Sequence, residues 1–281
     1  MSIRSGSRTL RPGQLIGGFH LRKPLGSGNH GSVWEAFDSA NNATFALKFQ
    51  TDKEDAKHEI DMLHRVPNHV NILKLLSSFD HGQYLVMVTE VLGVTLSDYL
   101  KQHGKVSPRN CVRIGAQLTM GLQYIFKKGV IHGDIHGKNI MNRVKIFDFG
   151  NAKLTRTHSS ARANYLDRFS TSAPVDVHRG APYTGYADMV SVIWILLDCR
   201  QLVSKVRDAS IRKMAEKKER FLNNPKTVLK PSDAFLEPII LDINKNYLHN
   251  ESYVSVIRVM QKAMPGLDLK SDFEKKGRRL E

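Results

Sequence analysis

The chain has 281 residues, 41% of them hydrophobic and 25% charged, which suits a soluble globular protein with one core or two lobes. No apolar run is long enough to cross a bilayer, and the opening MSIRSGSRTLRPGQ is polar and basic with no apolar signal core, so secretion is not expected. The net charge of +15 is uneven, because residues 101–170 alone hold 13 Lys or Arg against 3 Asp or Glu. A field of that sign gathers nucleotides, acidic protein segments or nucleic acid, although basic residues that merely solvate surface helices give the same count.

In chain order, residues 1–12 are expected to be a flexible tail. Residues 13–50 alternate in the manner of strands, as in FALKFQ, with Gly-rich turns between them. KEDAKHEIDMLHR, residues 53–65, places Ile60 and Leu63 on one side of a helix and charges on the other. ILKLLSSF and YLVMVTEV read as two strands joined by a turn at Asp80-His81-Gly82. Ser107-Pro108 predicts a helix start and Gly129 its stop, with Cys111, Ile114, Leu118, Leu122 and Ile125 as the buried stripe. A polar segment of about two dozen residues follows Gly150, then an apolar helix near ADMVSVIWILLD, and the C-terminal tail is expected to be helical and basic. Cys111 and Cys199 lack metal-ligand spacing and read as reduced thiols of a cytoplasmic or nuclear protein. The expected organisation is a β-rich lobe over residues 13–92, an α-helical lobe over 93–268 and a basic tail over 269–281. A β-rich part followed by an α-rich part suggests an α+β fold of two lobes with a cleft between them.

The chemistry is concentrated in IHGDIHGKNIMNRVKIFDFG, residues 131–150. Phosphoryl transfer from Mg-ATP needs a carboxylate to orient the attacking hydroxyl and side-chain oxygens to hold magnesium. Asp134 is the candidate for the first task, and Asn139 and Asp148 are the candidates for the second. LGSGNHGSV, covering Leu25, Gly26, Ser27, Gly28, Asn29, His30, Gly31, Ser32 and Val33, fits a Gly-x-Gly-x-x-Gly loop whose backbone can approach phosphate oxygens. A strand pattern rather than a long helix follows it, which argues against a dinucleotide-binding fold. Lys48 on the strand FALK needs a counter-ion if buried, and Glu59 on the next helix is the candidate.

Together LGSGNHGSV, FALK, EIDML, HVNIL, HGD with Asn139, DFG and Asp188 in YADMVSV resemble the eukaryotic protein kinases from about residue 19 to 265. Within them, TEVLGVTLSDYL, APVDVHRG and SYVSVIRVMQKAM are most similar to the casein kinase 1 group, which includes the vaccinia-related kinases. The resemblance implies a bilobal protein-kinase-like fold, an ATP-dependent serine/threonine kinase activity, and ATP and Mg2+ as cofactors. By the same resemblance, Asp134, Lys48, Glu59 and Asn139 are catalytic, and Asn139 and Asp148 hold the metal. Glu90 and Leu92 would bond adenine through their backbones behind a small gatekeeper, Thr89. Leu25, Val33, Ala46 and Met141 would sandwich the base. His132, Phe149 and Leu63 would belong to the hydrophobic spine, and Asp188 would brace the catalytic loop.

The departures matter as much. Gly133 stands where many kinases carry an Arg that reads a phosphorylated activation segment, so activity independent of such phosphorylation is expected. His136 stands where a Lys contacts the γ-phosphate, and a neutral imidazole donates a hydrogen bond but brings no fixed charge. Lys138 is a candidate substitute for that contact. HGDIHGKN also resembles the loop of small-molecule kinases such as aminoglycoside phosphotransferases, a rival that DFGNAK, APVDVHRG and Asp188 oppose. The substitutions at Gly133 and His136 also suit a pseudokinase or weakly active scaffold, and the basic charge suits a chromatin-associated protein. The expected partners are protein substrates, acidic or already phosphorylated. Membrane binding is not expected, nucleic acid is expected to bind only non-specifically, and the chain is expected to be a monomer. Thr171 occupies the place of an anion-binding Arg of the group, leaving Arg168, Arg212, Lys213, Lys217 and Lys218 to supply charge. The run Lys275-Lys276-Gly277-Arg278-Arg279 reads as a nuclear signal or, more plainly, an exposed helix end.

Overall fold

A computed structural model describes residues 10–28, 31–140, 144–155, 171–249, 253–276 and 279–280. Asn29, His30, Met141, Arg168, Gly277 and Arg278 therefore lie outside the described residues. The chain divides into two compact units. One comprises Met1–His64 and Leu73–Leu92, and the other Arg65–Ile72 and Gly93–Glu281.

The first unit is a six-stranded antiparallel sheet in the order β1-β2-β3-β4-β6-β5. Its strands are β1 (Leu15–Ile16), β2 (Phe19–Gly28), β3 (Gly31–Asp38), β4 (Ala43–Gln50), β5 (Leu75–His81) and β6 (Tyr84–Thr89). Side chains alternate across the sheet. Trp34, Leu47, Phe49, Val86 and Val88 share one face and a buried cluster with Ile16, Leu21 and Ala36. The register Val33↔Lys48↔Met87 puts Lys48 on the opposite face. There Leu85 and Met87 pack against Ala56 and Ile60 of α1 (Lys53–Arg65). That helix begins and ends where its pattern predicts.

The expected turn at Asp80-His81-Gly82 is corrected. Asp80 and His81 still pair with Leu85 and Tyr84, so only Gly82 and Gln83 remain for the connection. The strand itself starts at Leu75 rather than Ile72, because residues 65–72 are held by the second unit. Ile72 bridges Ile146, the Ile146 N–H donates to the Asn71 carbonyl at 2.8 Å, and Asn71 Nδ2 donates to the Val144 carbonyl at 3.0 Å.

The second unit is helical. In chain order it holds α2 (Leu96–His103), α3 (Pro108–Lys127), α4 (Val175–His178), α5 (Gly185–Cys199), α6 (Ile211–Asn223), α7 (Leu236–His249) and α8 (Tyr253–Ala263). Ser107 caps α3, its Oγ accepting from the Asn110 N–H at 3.3 Å, and Pro108 opens the helix. Cys111, Ile114, Leu118, Leu122 and Ile125 are all buried. α5 is mostly apolar and buried on nearly every side, as a helix at the centre of a bundle must be. It packs against α3 and α7. No helix among the described residues is long and apolar enough to cross a membrane.

The helical tail is a second correction. The last helix stops at Ala263, and the chain beyond it is bound along α3. Arg113 Nε donates to the Asp268 carbonyl at 3.1 Å, and Gln117 Nε2 donates to the Leu269 and Ser271 carbonyls at 3.2 and 3.1 Å. Asn110 and Glu274 exchange two bonds at 2.7 and 3.1 Å. Buried polar groups on α3 thus require a non-helical partner that offers free carbonyls. Past it, two short strands, Lys275–Lys276 and Arg279–Leu280, pair with each other, so the basic run does not end a helix.

Candidate active site

In the first unit, β2 and β3 form the Gly-rich hairpin, with Gly26 opposite Val33, Ser27 opposite Ser32 and Gly28 opposite Gly31. Nothing stands within 4 Å of the position a Cβ would take at Gly26 or Gly28, so the exposed backbone is open to a ligand. Gly31 is different. Its φ is +112°, and a Cβ there would fall 1.9 Å from the Phe49 carbonyl oxygen, so no side chain fits. Lys48 Nζ lies 2.6 Å from Glu59 Oε2, with the carboxylate side chain only 2% exposed and the lysine 17%. Glu59 reaches it because α1 packs on the Lys48 face of the sheet. Ala46 is buried and pairs with Thr89, whose hydroxyl donates to the Glu90 carbonyl at 3.2 Å. The Glu90 carboxylate accepts from the Lys74 N–H at 2.9 Å, which ties the end of β6 to the entry of β5. Leu25 is exposed and Leu92 half-buried. Leu63 is buried.

In the second unit, the loop after β7 (Val130–Ile131) is anchored by Asp188 of α5. The His132 N–H donates to Asp188 Oδ2 at 2.7 Å and the Gly133 N–H donates to Oδ1 at 3.0 Å. The Tyr183 hydroxyl donates to Oδ1 at 3.1 Å. Burial and the neighbouring Asp188 push the Tyr183 phenol well above its ordinary range, so it stays a donor. Gly133 has φ +81°, and a Cβ there would meet the Asn151 carbonyl oxygen at 2.9 Å. An Arg at this position is thus incompatible with the loop as folded. Residues 156–170, most of the polar segment expected after Gly150, lie outside the described residues.

Asp134 is the hub of this loop. Its Oδ2 accepts from Asn139 Nδ2 at 3.2 Å and Asn151 Nδ2 at 3.4 Å, and its Oδ1 lies 3.3 Å from His136 Nε2. Burial alone would raise the Asp134 carboxyl, but the hydrogen bond from His136, with His132 and Asn151, outweighs it and holds the group below its ordinary value. The Lys138 N–H donates to His136 Nδ1 at 3.2 Å, which leaves the proton on Nε2, facing Asp134. His136, which stands where a Lys would contact the γ-phosphate, rests beside the Asp134 carboxylate. Asn151 was missed altogether. Its only signal was the position directly after Asp-Phe-Gly.

Asn139 is buried and directs its amide nitrogen to the Asp134 carbonyl and carboxylate, leaving its amide oxygen without a partner among the described residues. The Phe147 N–H donates to the Asn139 carbonyl at 3.2 Å, which brings Asp148 alongside. Asp148 sits at φ +65°, ψ +72°, a left-handed conformation uncommon outside glycine. Phe149 behind it is fully buried against His132, with ring centroids 4.8 Å apart. No group of three or more His, Cys, Asp or Glu among the described residues could hold a metal by itself. The amide oxygen of Asn139 and the carboxylate of Asp148 are hard oxygen donors of the kind magnesium takes.

One basic residue is corrected. Lys218 was a candidate for binding anions, but it is fully buried. Its Nζ donates to the Thr171 and Ala173 carbonyls at 2.8 and 2.6 Å, lies 3.0 Å from His178 Nε2 and stands over the Trp194 ring. Burial pushes its ammonium well below the ordinary lysine value. Lys217 is tied to Asp208 at 2.8 Å.

A curled antiparallel sheet carrying a Lys–Glu pair, and a helical unit carrying Asp134, Asn139 and Asp148 on one loop system, define a kinase-like α+β fold. The family described as Protein kinase domain matches residues 19–260, and the chain belongs to that family. Human ribosomal protein S6 kinase alpha-3 is 29% identical over 156 residues, which are 52% of this chain and 21% of that protein. The mouse serine/threonine-protein kinase Nek3 is 28% identical over 191 residues, 64% of this chain and 37% of its own length. The carbon catabolite-derepressing protein kinase of Saccharomyces cerevisiae is 29% identical over 161 residues, 53% and 25% of the two chains. The match thus spans well under half the length of each of these relatives.

Proposed function

We propose that the chain is an ATP-dependent protein serine/threonine kinase. The observation that carries this reading is the Asp134 carboxylate, held in place by Asn139, Asn151 and His136 and kept ionised. In that state it can orient an acceptor hydroxyl and take its proton as the oxygen attacks the γ-phosphorus of ATP. Lys48, fixed by Glu59, contacts the nucleotide phosphates, and the open backbone of the Gly-rich hairpin covers them. Asn139 and Asp148 would hold magnesium through side-chain oxygens, and the ion would supply charge to neutralise the phosphates. The Glu90 and Leu92 backbones and the Leu25, Val33 and Ala46 side chains receive adenine. TEVLGVTLSDYL and APVDVHRG support placement in the casein kinase 1 group, with acidic or already phosphorylated proteins as acceptors and a cytoplasmic or nuclear site of action.

The test is transfer of labelled phosphate from Mg-ATP to casein and to a basic protein. Serine or threonine labelling that favours casein supports the reading. Preference for the basic protein would remove the acidic-acceptor part of it.

His136 also favours a second reading, a nucleotide-binding scaffold with little turnover, because no fixed charge replaces the usual Lys. Undetectable transfer with normal ATP binding would favour the scaffold, and where transfer occurs the His136→Ala variant tests the part of the imidazole. In an active enzyme, losing the donor to Asp134 should lower kcat about tenfold to a hundredfold, with the KM for ATP little changed. A kcat equal to wild type would show that the imidazole does not support the carboxylate.

A further inference from the structure

Thr171 lines a cavity of about 820 Å³ in the second unit together with Asp134, His136 and Gly137. Its volume is in the range of built ligand sites. Residues 171–174, which lead into α4, therefore form part of the wall of the space that holds the Asp134 carboxylate. They belong to no helix or strand, so their carbonyls have no ladder of their own. Three in succession are instead held by buried side chains. Lys218 of α6 donates to the Thr171 and Ala173 carbonyls at 2.8 and 2.6 Å. Between them, the Ser191 hydroxyl of α5 donates to the Ser172 carbonyl at 2.9 Å, with the Ala187 carbonyl of its own helix as the alternative at 3.1 Å.

Lysine is an unfavourable residue to bury for packing alone. Lys218 is fully buried, and among the described residues no carboxylate pairs with it. An apolar side chain of similar length would serve folding as well or better. What the lysine adds over such a side chain is the hold on two wall carbonyls. That hold survives in either protonation state. As an ammonium, Nζ donates to both carbonyls and to His178 Nε2, 3.0 Å away. As an amine, it donates to both carbonyls and accepts from the proton on Nε2.

Resting on the kinase reading above, we propose that Lys218 is a positioning residue for the protein acceptor. Through Thr171, Ser172 and Ala173 it fixes the wall along which a chain lies when its hydroxyl reaches Asp134. The ammonium is buried behind that wall and touches neither nucleotide nor acceptor, so its removal acts on acceptor binding and leaves the chemistry in place.

The experiment measures steady-state kinetics of the full chain with casein, or with the basic protein if the wild type labels that better. Wild type is compared with Lys218→Met and Ser191→Ala. Methionine fills the niche against Trp194 without a donor, and the alanine removes the hydroxyl that holds Ser172. The acceptor KM should rise about tenfold in Lys218→Met and about threefold in Ser191→Ala, with kcat and the KM for ATP within about twofold of wild type. An acceptor KM equal to wild type in folded Lys218→Met overturns the proposal. So does a loss confined to kcat or Tm, the signature of a lysine that merely supports folding. Should Lys218→Met fail to fold, Ser191→Ala decides by the same two readings. If the wild type transfers nothing, the kinase reading fails separately, and hydrogen exchange decides on the clamp. The His178, Arg179 and Gly180 amides donate to carbonyls within residues 174–177. They should exchange about tenfold faster in Lys218→Met, while the His132 and Gly133 amides keep the wild-type rate. Equal rates at all five remove the clamp.

Discussion

Asp134→Asn is expected to lower kcat by about a hundredfold to ten-thousandfold, the range over which one positioned acid–base group contributes. The asparagine is nearly isosteric, and its oxygen can still accept from His136. It has no place for the acceptor proton, however, and its NH2 would face the amide nitrogens of Asn139 and Asn151, which now donate to Oδ2. Nucleotide affinity should change little, because no phosphate contact is assigned to this side chain. The measurement is single-turnover transfer from labelled Mg-ATP beside a nucleotide-binding titration of the same samples. Transfer at the wild-type rate would remove Asp134 from the chemistry.

Asp188→Ala should be the most destabilising single change near the loop. It strips acceptors from the His132 and Gly133 N–H groups and from the buried Tyr183 hydroxyl. Each orphaned donor costs about 1–3 kcal/mol, so a loss of about 4 kcal/mol and a fall in Tm of about 10 °C are expected. Activity should fall as well, since the backbone leading into Asp134 loses its anchor. Asp188→Asn should be milder, because its single amide oxygen can still accept one of the two N–H groups. Thermal unfolding by calorimetry, with far-UV dichroism to confirm folding at low temperature, measures both. A Tm within about 2 °C of wild type for Asp188→Ala would show that the loop does not depend on this carboxylate.

Local pattern carried much of the fold. α1 lies where its apolar spacing places it, and the Lys48–Glu59 distance follows once that helix packs on the sheet face bearing Leu85 and Met87. The carboxylate and amide of Asp134 and Asn139 meet because only four residues of tight loop separate them. What pattern did not reveal depends on distant partners. Ile72 looks like strand, yet a bridge to Ile146 takes it into the other unit. Residues 267–274 are charged enough for an exposed helix, but buried Asn110, Arg113 and Gln117 hold them in another conformation. Asn151 carries no motif of its own, and its contact with Asp134 arises only when residues 149–151 fold as a short turn. Lys218 sits in a run of exposed basic residues, and nothing in its neighbours marks it as the one turned inward.

That inward lysine makes a chemical clock. Amine reagents attack a neutral, accessible nitrogen, and Lys218 is denied access by the Trp194 ring on one side and by the Thr171 and Ala173 carbonyls on the other. Under mild acylation it should be modified far later than exposed Lys213, which stands earlier on the same helix, so that its labelling rate times the parting of α6 from residues 171–178. Once acylated in the opened state, it could not return to its niche. The modification would then work as a one-way latch, trapping the molecule with that segment released.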